Sequence, residues 1–488
     1  MRRNIQQLVV QLLCILAVGV CFPLRAAAQA PKQPQTKDGQ ADQAAPDAAG
    51  RDQSANEDDA SDVETIFPHT LAGRYWISGQ ANVILQGYGA FKAKYSGPNS
   101  LTNWGQSATT HLLTLNTGYE VSQSTEVFAD IEDTTGNGVG NDGGLAGYVN
   151  LDVVRLLPGA SAPYLSQLMI REIIPLTKTG EPESEDRDEL HLATSLPARR
   201  IEVRLGKMDL TDFFDLNTYG SDSNLQFLNW TVDDNGAWDV ASNARGYTDA
   251  VIVEYDDHSH SARFAEAMMP KTPFSQFLDA DLARSRSENL ELEARGKHVV
   301  HRDGVVRVLG YLNHGPMGSY REANAEALNH QTTTPDITAT RREGQHRYGF
   351  GLNVEQEITD DLGVFGRLGW SDGHHETFCY SEDDRTLELG GLLKGSSWRR
   401  KTDRAGVAFV VNGIIAEHQQ YLSLGGLGVM LGDGGLTYGS ERIMETFYTA
   451  HLWRGFSISY DFQHVTNPGY NQVRGPVDVS AFRFHTEF

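Results

Sequence analysis

The sequence predicts an all-β protein: a closed antiparallel transmembrane β-barrel of about 16 strands, preceded by an N-terminal disordered periplasmic segment. Three observations lead to this prediction. The chain starts with an export signal, segments of about ten residues alternate apolar and polar side chains, and the last strand ends on the aromatic residue Phe488. The mean hydropathy of −0.40 agrees with a barrel, because about half of its strand residues face water.

Residues 1–30 have the composition of a secretory signal peptide. Arg2 and Arg3 precede an apolar stretch over residues 8–22, and small residues at 26–30 offer a cleavage site. The apolar stretch is short for a membrane anchor, which needs about 20 residues, so we expect export. Cleavage leaves Cys379 without a second cysteine, so the exported chain must fold without an intrachain disulfide.

Residues 31–65 are rich in Gln, Ala and Asp and have no apolar periodicity. They carry too little apolar surface to offset the entropy lost on ordering, which predicts a disordered acidic periplasmic linker. A docking tail for a specific partner is the alternative. The barrel domain is predicted to occupy residues 66–488.

Strict alternation dominates the barrel domain. Leu290 and Leu292 lie on one face of a predicted strand, with Glu291 and Glu293 on the other. The longest apolar run, residues 405–416, is interrupted by Asn412 and is too short for a spanning helix. A soluble sandwich would also alternate. Secretion, strand length and the aromatic ending favour a membrane barrel whose apolar faces contact lipid.

Chain length and loop signals set the size of this barrel. Residues 66–488 accommodate roughly 14–18 strands, enough to leave an aqueous lumen. Short turns are predicted at 359–361 and 453–455. Longer loops are predicted at 134–144, 178–190, 207–247 and 316–346.

Several short motifs occur in a defined order along the chain. They lie at 195–200, 212–215, 425–428, 432–434, 445–448, 467–471 and 474–477. Together they resemble the carbohydrate-selective porin (OprB) family over residues 73–488. The resemblance implies a barrel of about 16 strands that passes sugars across the bacterial outer membrane, without catalysis and without a cofactor.

Residues 227–245, within the predicted loop at 207–247, have side chains suited to sugar recognition. Aromatic rings stack on the C–H faces of sugars, and charged groups replace the water on their hydroxyls. The family resemblance implies that this stretch folds inward and narrows the pore. Our hypothesis is that Trp230 or Trp238 stacks on sugar, with Asp233, Asp234 and Arg245 pairing with hydroxyls. The alternative is an extracellular loop whose tryptophans anchor at the membrane interface.

Charges on the polar strand faces form a second candidate set. Glu202, Arg204 and Arg307 are predicted to face the lumen, as are Glu291, Glu293, Arg295, Arg367 and Glu445. Opposed charges across a pore favour polar neutral solutes, although mutual neutralisation that stiffens the wall is the alternative for most of them. The formal charge of −23 predicts a bias toward cations and argues against nucleic acid as a partner.

Other functions find less support. A Ca²⁺ site among Asp130, Glu132, Asp133, Asn137 and Asp142 lacks the spacing of a calcium loop, and no metal site is predicted. An outer-membrane lipid hydrolase or acyltransferase would need a nucleophile system that no motif supplies, and a secreted sugar-binding protein is a further alternative. The expected partners are mono- or oligosaccharides, outer-membrane lipid and lipopolysaccharide, and the barrel assembly machinery through the strand that ends at Phe488.

Overall fold

The computed structural model describes residues 65–67, 69, 73–156, 163–177, 183–184, 186–297, 301–378 and 382–488. The signal peptide at 1–30 and all but the last residue of the linker at 31–65 lie outside the described residues. Both therefore remain predictions.

Sixteen antiparallel strands form a closed barrel in which each strand pairs with its neighbours along the chain and the last pairs with the first. This confirms the predicted fold. The barrel strands are β1 (Tyr75–Tyr88), β2 (Gln106–Glu120), β3 (Thr125–Gly136), β4 (Tyr164–Pro175), β7 (Arg199–Met208), β8 (Thr248–Asp257), β9 (His260–Met268), β10 (Arg286–Lys297), β11 (Asp303–Met317), β12 (Arg342–Glu357), β13 (Leu362–Ser371), β14 (Arg385–Lys394), β15 (Arg404–Gly413), β16 (Glu441–Trp453), β17 (Phe456–Thr466) and β18 (Val477–Glu487). Two short strands, β5 (Glu183–Ser184) and β6 (Ser195–Leu196), form a separate hairpin.

The alternating pattern has the predicted orientation. Leu290, Leu292 and Phe482 are exposed on the outer surface, whereas Glu291 and Glu293 are buried inside. A water-facing wall inside and an apolar wall outside follow from the two-residue period of a strand.

The seam between β1 and β18 is closed by the final residue. Gly79 N–H donates to the carbonyl of Phe488 (2.7 Å), and Phe488 N–H donates back to the carbonyl of Gly79 (2.9 Å). A Cβ on Gly79 would lie 2.7 Å from the Phe488 ring, so only glycine leaves room for that ring.

Short and long connections alternate between the two ends of the barrel. The predicted turns at 359–361 and 453–455 join β12 to β13 and β16 to β17. Within the part of the chain that the structure describes, three α-helices lie in the long connections: α1 (Trp230–Asp233), α2 (Tyr320–Leu328) and α3 (Ala416–Ser423). Among the described residues, no helix is long and apolar enough to cross a membrane.

One connection at the short-turn end departs from this rule. The chain between β4 and β7 is long, and its Leu190 and Leu192 pack in the same apolar cluster as Trp76 and Phe128 of the inner wall. The N–H groups of Leu192 and Ala193 donate to Glu126 Oε1 (3.2 and 2.6 Å). This connection, predicted as an ordinary loop, therefore covers part of the barrel mouth.

Candidate functional site

Two long connections fold inward and fill much of the lumen. We call the described residues 137–156, after β3, loop A, and residues 209–247, between β7 and β8, loop B. Loop B begins and ends within two residues of the predicted loop at 207–247. Most of its side chains are buried within the barrel.

Loop B follows the inner wall through hydrogen bonds with several strands. The Asp215 N–H donates to Glu291 on β10 (2.8 Å), and Leu228 N–H donates to Glu445 on β16 (2.6 Å). Arg483 of β18 donates to the carbonyl of Gln226 (2.8 Å). Buried backbone groups need such partners, and the polar inner wall supplies them.

An apolar contact holds the middle of loop B. Phe227 packs edge-on against Phe447 of β16, with ring centroids 4.7 Å apart, and also contacts Phe365 of β13 at 5.9 Å. Val410 and Val465, on the inner wall, belong to the same buried cluster. The hydrophobic effect therefore places loop B against this side of the barrel.

Loop A interlocks with loop B. Trp230 N–H donates to the carbonyl of Tyr148 (2.8 Å), and Leu151 N–H donates to the carbonyl of Leu228 (3.0 Å). Glu441 at the start of β16 accepts from Ala146 N–H (3.0 Å). The two loops thus form one constriction inside the barrel.

A cavity separates the two loops. Its polar lining includes Arg155 of loop A and Asp209, Trp230, Asp234 and Arg245 of loop B. With a volume of about 20 Å³, it has room for a water molecule rather than a sugar ring.

Arg155 is the centre of a charged and aromatic cluster beside this cavity. Its guanidinium lies 3.7 Å from Glu132 and 3.6 Å from Asp209, and it donates to the Tyr247 hydroxyl. Burial raises the pKa of Tyr247 well above its usual value, so the phenol stays protonated and donates to Glu132. Beside it, the Arg245 guanidinium lies 3.6 Å from the ring centroid of Tyr164, a cation–π contact.

The structure brings three of the five predicted loop residues to this cavity: Trp230, Asp234 and Arg245. Trp238 lies elsewhere, with its indole N–H donating to Asn289 (3.0 Å) and its ring 6.2 Å from that of Phe214. Asp233 is buried in α1. Trp230 and Trp238 are only 3% and 2% exposed, so neither ring is open to solvent as loop B now lies.

Sequence reasoning missed the other members of the cluster: Glu132, Arg155, Tyr164, Asp209 and Tyr247. Two of them had a usable signal. Asp209 directly follows β7 and Tyr247 directly precedes β8, so strand pairing brings the two ends of loop B together. The others come from loop A and its flanking strands, whose approach to loop B no local pattern encodes.

Charged side chains form a continuous ladder along the inner wall, which we call the charged belt. Arg171 bridges Glu126 (3.0 Å) and Glu202 (2.8 Å), and Arg204 bridges Glu202 (2.6 Å) and Glu254 (2.8 Å). The series continues with Arg263 to Glu254 and Glu291 (2.8 and 2.7 Å), Arg307 to Glu293 and Glu355 (2.7 and 3.2 Å), and Arg263 to Glu293 (3.4 Å). The charged belt thus connects eight consecutive barrel strands, from β3 to β12.

The charged belt contains five of the predicted wall residues: Glu202, Arg204, Glu291, Glu293 and Arg307. The remaining predicted residues have other partners. Arg295 pairs with Asp256, Arg367 lies 3.2 Å from Asp215 of loop B, and Glu445 accepts loop B backbone groups. Mutual pairing, one of the two predicted roles, describes the belt geometry.

Potential metal ligands do not cluster in the ranges that the structure describes. Within those ranges, no three His, Cys, Asp or Glu side chains converge in a geometry that could hold a metal ion.

The sequence matches the family model described as carbohydrate-selective porin, OprB family, over residues 98–488. The chain belongs to this family. OprB-family membership and the closed 16-strand barrel identify an outer-membrane porin through which carbohydrates diffuse passively and selectively.

One solved structure shows the same fold, and two further ones align with lower TM-scores. The high-pH structure of Pseudomonas putida OprB aligns with a TM-score of 0.63 at 13% identity, covering 85% of this chain and 94% of that one. Its low-pH structure gives a TM-score of 0.46 at 11% identity, covering 85% and 93%. The outer membrane channel DcaP of Acinetobacter baumannii gives 0.43 at 9% identity, covering 85% and 98%. A search of curated proteins found no match.

Proposed function

We propose that sugars cross this porin through the constriction formed by loops A and B, and that Trp230, Asp234, Arg245 and Arg155 contact them. The proposal depends on one observation: these four side chains line one cavity at the junction of the two loops. Such a set offers an apolar ring, a carboxylate and two guanidiniums to a single solute.

The chemistry of a sugar matches this lining. An indole face can cover the C–H surface of a pyranose, while Arg and Asp exchange charge-assisted hydrogen bonds with adjacent hydroxyls. Several weak contacts suit transport better than one tight site, because the solute must also leave. No step in this scheme makes or breaks a covalent bond, so we propose a channel without enzymatic activity.

The charged belt supplies a second set of weak contacts in this proposal. Arg307 pairs with carboxylates on both neighbouring strands. Arg204 pairs with Glu202 of its own strand and with Glu254 of the next, and Glu202 also pairs with Arg171. These pairs fix the positions of donors and acceptors, so hydroxyls of a passing sugar meet a preorganised polar wall. Asp233 and Trp238, being packed inside loop B, serve in this scheme to hold its shape.

Sugar transport through single channels tests the proposal. We expect Trp230→Ala and Arg245→Gln, each assayed in planar bilayers, to weaken the block of ion current by sugars about tenfold, the loss of one or two good contacts. Trp104→Ala is the matched control, because Trp104 lies 80% exposed between β1 and β2. Unchanged sugar block in both site variants would refute the assignment.

We further propose that the outer surface contacts outer-membrane lipid and lipopolysaccharide, and that the barrel assembly machinery reads the strand ending at Phe488. Exposed apolar residues such as Leu292 and Phe482 support the first part. Deleting Phe488 should reduce the fraction of heat-modifiable barrel in outer-membrane fractions. Replacing the lipid-facing Phe409 by leucine, as a control, should not reduce it.

A further inference from the structure

The apex of loop B rests on two glycines of the inner wall. Gly351 of β12 and Gly369 of β13 are directly paired across the two strands. Loop B places the side chain of Asn235 over this pair. A Cβ on Gly351 would lie 2.2 Å from Asn235 Nδ2, and a Cβ on Gly369 would lie 2.0 Å from Asn235 Oδ1. Any side chain at either position would therefore collide with the Asn235 amide.

Gly351 and Gly369, together with the strands on either side of them, leave a narrow space for the Asn235 side chain, which we call the seat. In the same row across the sheet, Leu309 of β11 pairs with Gly351 and Thr386 of β14 pairs with Gly369. A Cβ on Gly351 would be 3.7 Å from Leu309 Cβ, an ordinary contact, so the clash at this position is with Asn235 alone. At Gly369 the Thr386 methyl, 2.4 Å away, would also have to move.

Asn235 is coupled to the rest of the apex. Its side-chain oxygen accepts from Ala237 N–H (3.3 Å), and its carbonyl accepts from Trp238 N–H (2.7 Å). The Ala237 carbonyl accepts from the Tyr311 hydroxyl (2.8 Å) on the inner wall. A displaced Asn235 thus disturbs the turn that carries Asp234 into the cavity.

We infer that the Gly351–Gly369 pair sets how far loop B projects into the lumen, and thereby determines sugar selectivity without touching sugar. The inference rests on the proposed function, because it takes loops A and B as the constriction. Interiors are close-packed, so an added methyl is accommodated by moving loop B toward the lumen axis.

Three glycine variants test the inference. Gly351→Ala should lower sugar flux relative to ion conductance about twofold, because a narrowed pore obstructs a hexose more than a hydrated ion. Gly369→Ala should act in the same direction. Gly310→Ala, on the adjacent strand β11, has open space around its Cβ position and should match the unmodified porin. Heat-modifiable migration on gels verifies that each variant forms a barrel.

A double variant shows whether Gly351→Ala acts by displacing loop B or by damaging the barrel wall in general. Asn235→Ala removes the amide that meets the new methyl. The double variant Gly351→Ala with Asn235→Ala should therefore show the sugar-to-ion ratio of Asn235→Ala alone. If Gly351→Ala adds the same loss in both backgrounds, the seat does not act through Asn235 and the inference is wrong.

The outcomes also distinguish a failure of this inference from a failure of the proposed function. If Trp230→Ala and Arg245→Gln weaken sugar block but Gly351→Ala leaves the sugar-to-ion ratio unchanged, the proposed function is supported and the inference about the Gly351–Gly369 pair is wrong. If all three variants behave like the unmodified porin, the constriction itself is refuted, and the inference with it.

Discussion

The two halves of the inner wall are built differently. From β3 to β12 many inward side chains form the charged belt, in which each Arg pairs with carboxylates of its own or a neighbouring strand. From β13 round to β18 many inward side chains are apolar, including Phe365, Val410, Phe447, Val465 and Val479. The charged groups of the first half pair with one another, whereas the apolar side chains of the second half are covered by loop B.

This difference explains where the lumen is obstructed. Apolar side chains gain stability when loop B covers them, and Phe227 and Val232 provide that cover. In the charged half the belt groups already have polar partners, and loop B covers the apolar side chains between them: Phe214 and Trp238 share a buried cluster with Ile252 and Leu309. We therefore expect mutations of buried residues in either half to lower stability, and those that release Phe227 of loop B to change conductance and selectivity as well.

The largest expected effect tests whether the buried ion pairs of the charged belt stabilise the barrel. Arg171→Met should destabilise the barrel by about 3–5 kcal/mol, because it leaves Glu126 buried without its guanidinium and removes one of the guanidiniums around Glu202. The temperature at which the barrel loses its folded migration on gels measures this. The control Arg302→Gln removes a partly exposed bridge at the rim, with an expected cost of about 0–1 kcal/mol. Equal losses in the two variants would contradict the comparison.

The next effect concerns the apolar half. Phe447→Ala removes the ring that packs against Phe227 and should cost about 3 kcal/mol. Unlike Arg171→Met, it should also raise ion conductance and weaken sugar block, since loop B loses its anchor. Phe409→Ala, on the lipid side of the adjacent strand β15, is the control that should leave conductance unchanged. A conductance change in Phe409→Ala but not in Phe447→Ala would show that Phe447 does not anchor loop B.

A third prediction sharpens the contrast between the two faces of a single strand. Leu292→Arg places a charge on the lipid side of β10, opposite the face that carries Glu291 and Glu293, at an expected cost of about 2 kcal/mol. Ser107→Arg, near the end of β2, should cost about 0–1 kcal/mol because the interface hydrates it. Denaturant unfolding from detergent or lipid measures both, and a depth-independent cost would argue against lipid contact at Leu292.

The smallest expected effect is ionic selectivity. The acidic excess of the chain should favour cations, but the mutual pairing within the charged belt leaves few net charges in the lumen. Reversal potentials in a salt gradient should show a weak cation preference that fades as salt rises. Anion preference would show that guanidiniums, not carboxylates, dominate the narrow part.

The fold could be predicted from sequence because the signal repeats in every strand. Alternation placed Leu290 and Leu292 outside and Glu291 and Glu293 inside, and the bounds of loop B followed from where alternation stopped. The apolar half could not be predicted in this way. Its signal was present in the apolar run at 405–416, where Phe409 faces lipid and Val410 faces loop B, but a run apolar on both sides does not show which side is covered.

The candidate site was predictable only where one segment carried it. Trp230, Asp234 and Arg245, which line the cavity, were predicted because sugar chemistry suggests those residue types close together in one loop. Arg155 and Glu132 come from a different loop and strand. The seat at Gly351 and Gly369 depends on cross-strand register and on a loop about 120 residues earlier, so no local pattern reveals it.

The charged belt also has a mechanical consequence. Backbone ladders already join neighbouring strands, and the belt adds a second ring of links along the circumference, side chain to side chain, across half the cylinder. A hollow tube under lateral pressure fails by flattening, and a hoop resists that deformation. Among the described residues, the apolar half has scattered side-chain links rather than a continuous ladder of ion pairs, such as Arg367 to Glu388 (3.8 Å) and Thr386 to Asn412 (3.0 Å). That half relies more on loop B as an internal strut, so compression of the bilayer should deform it first.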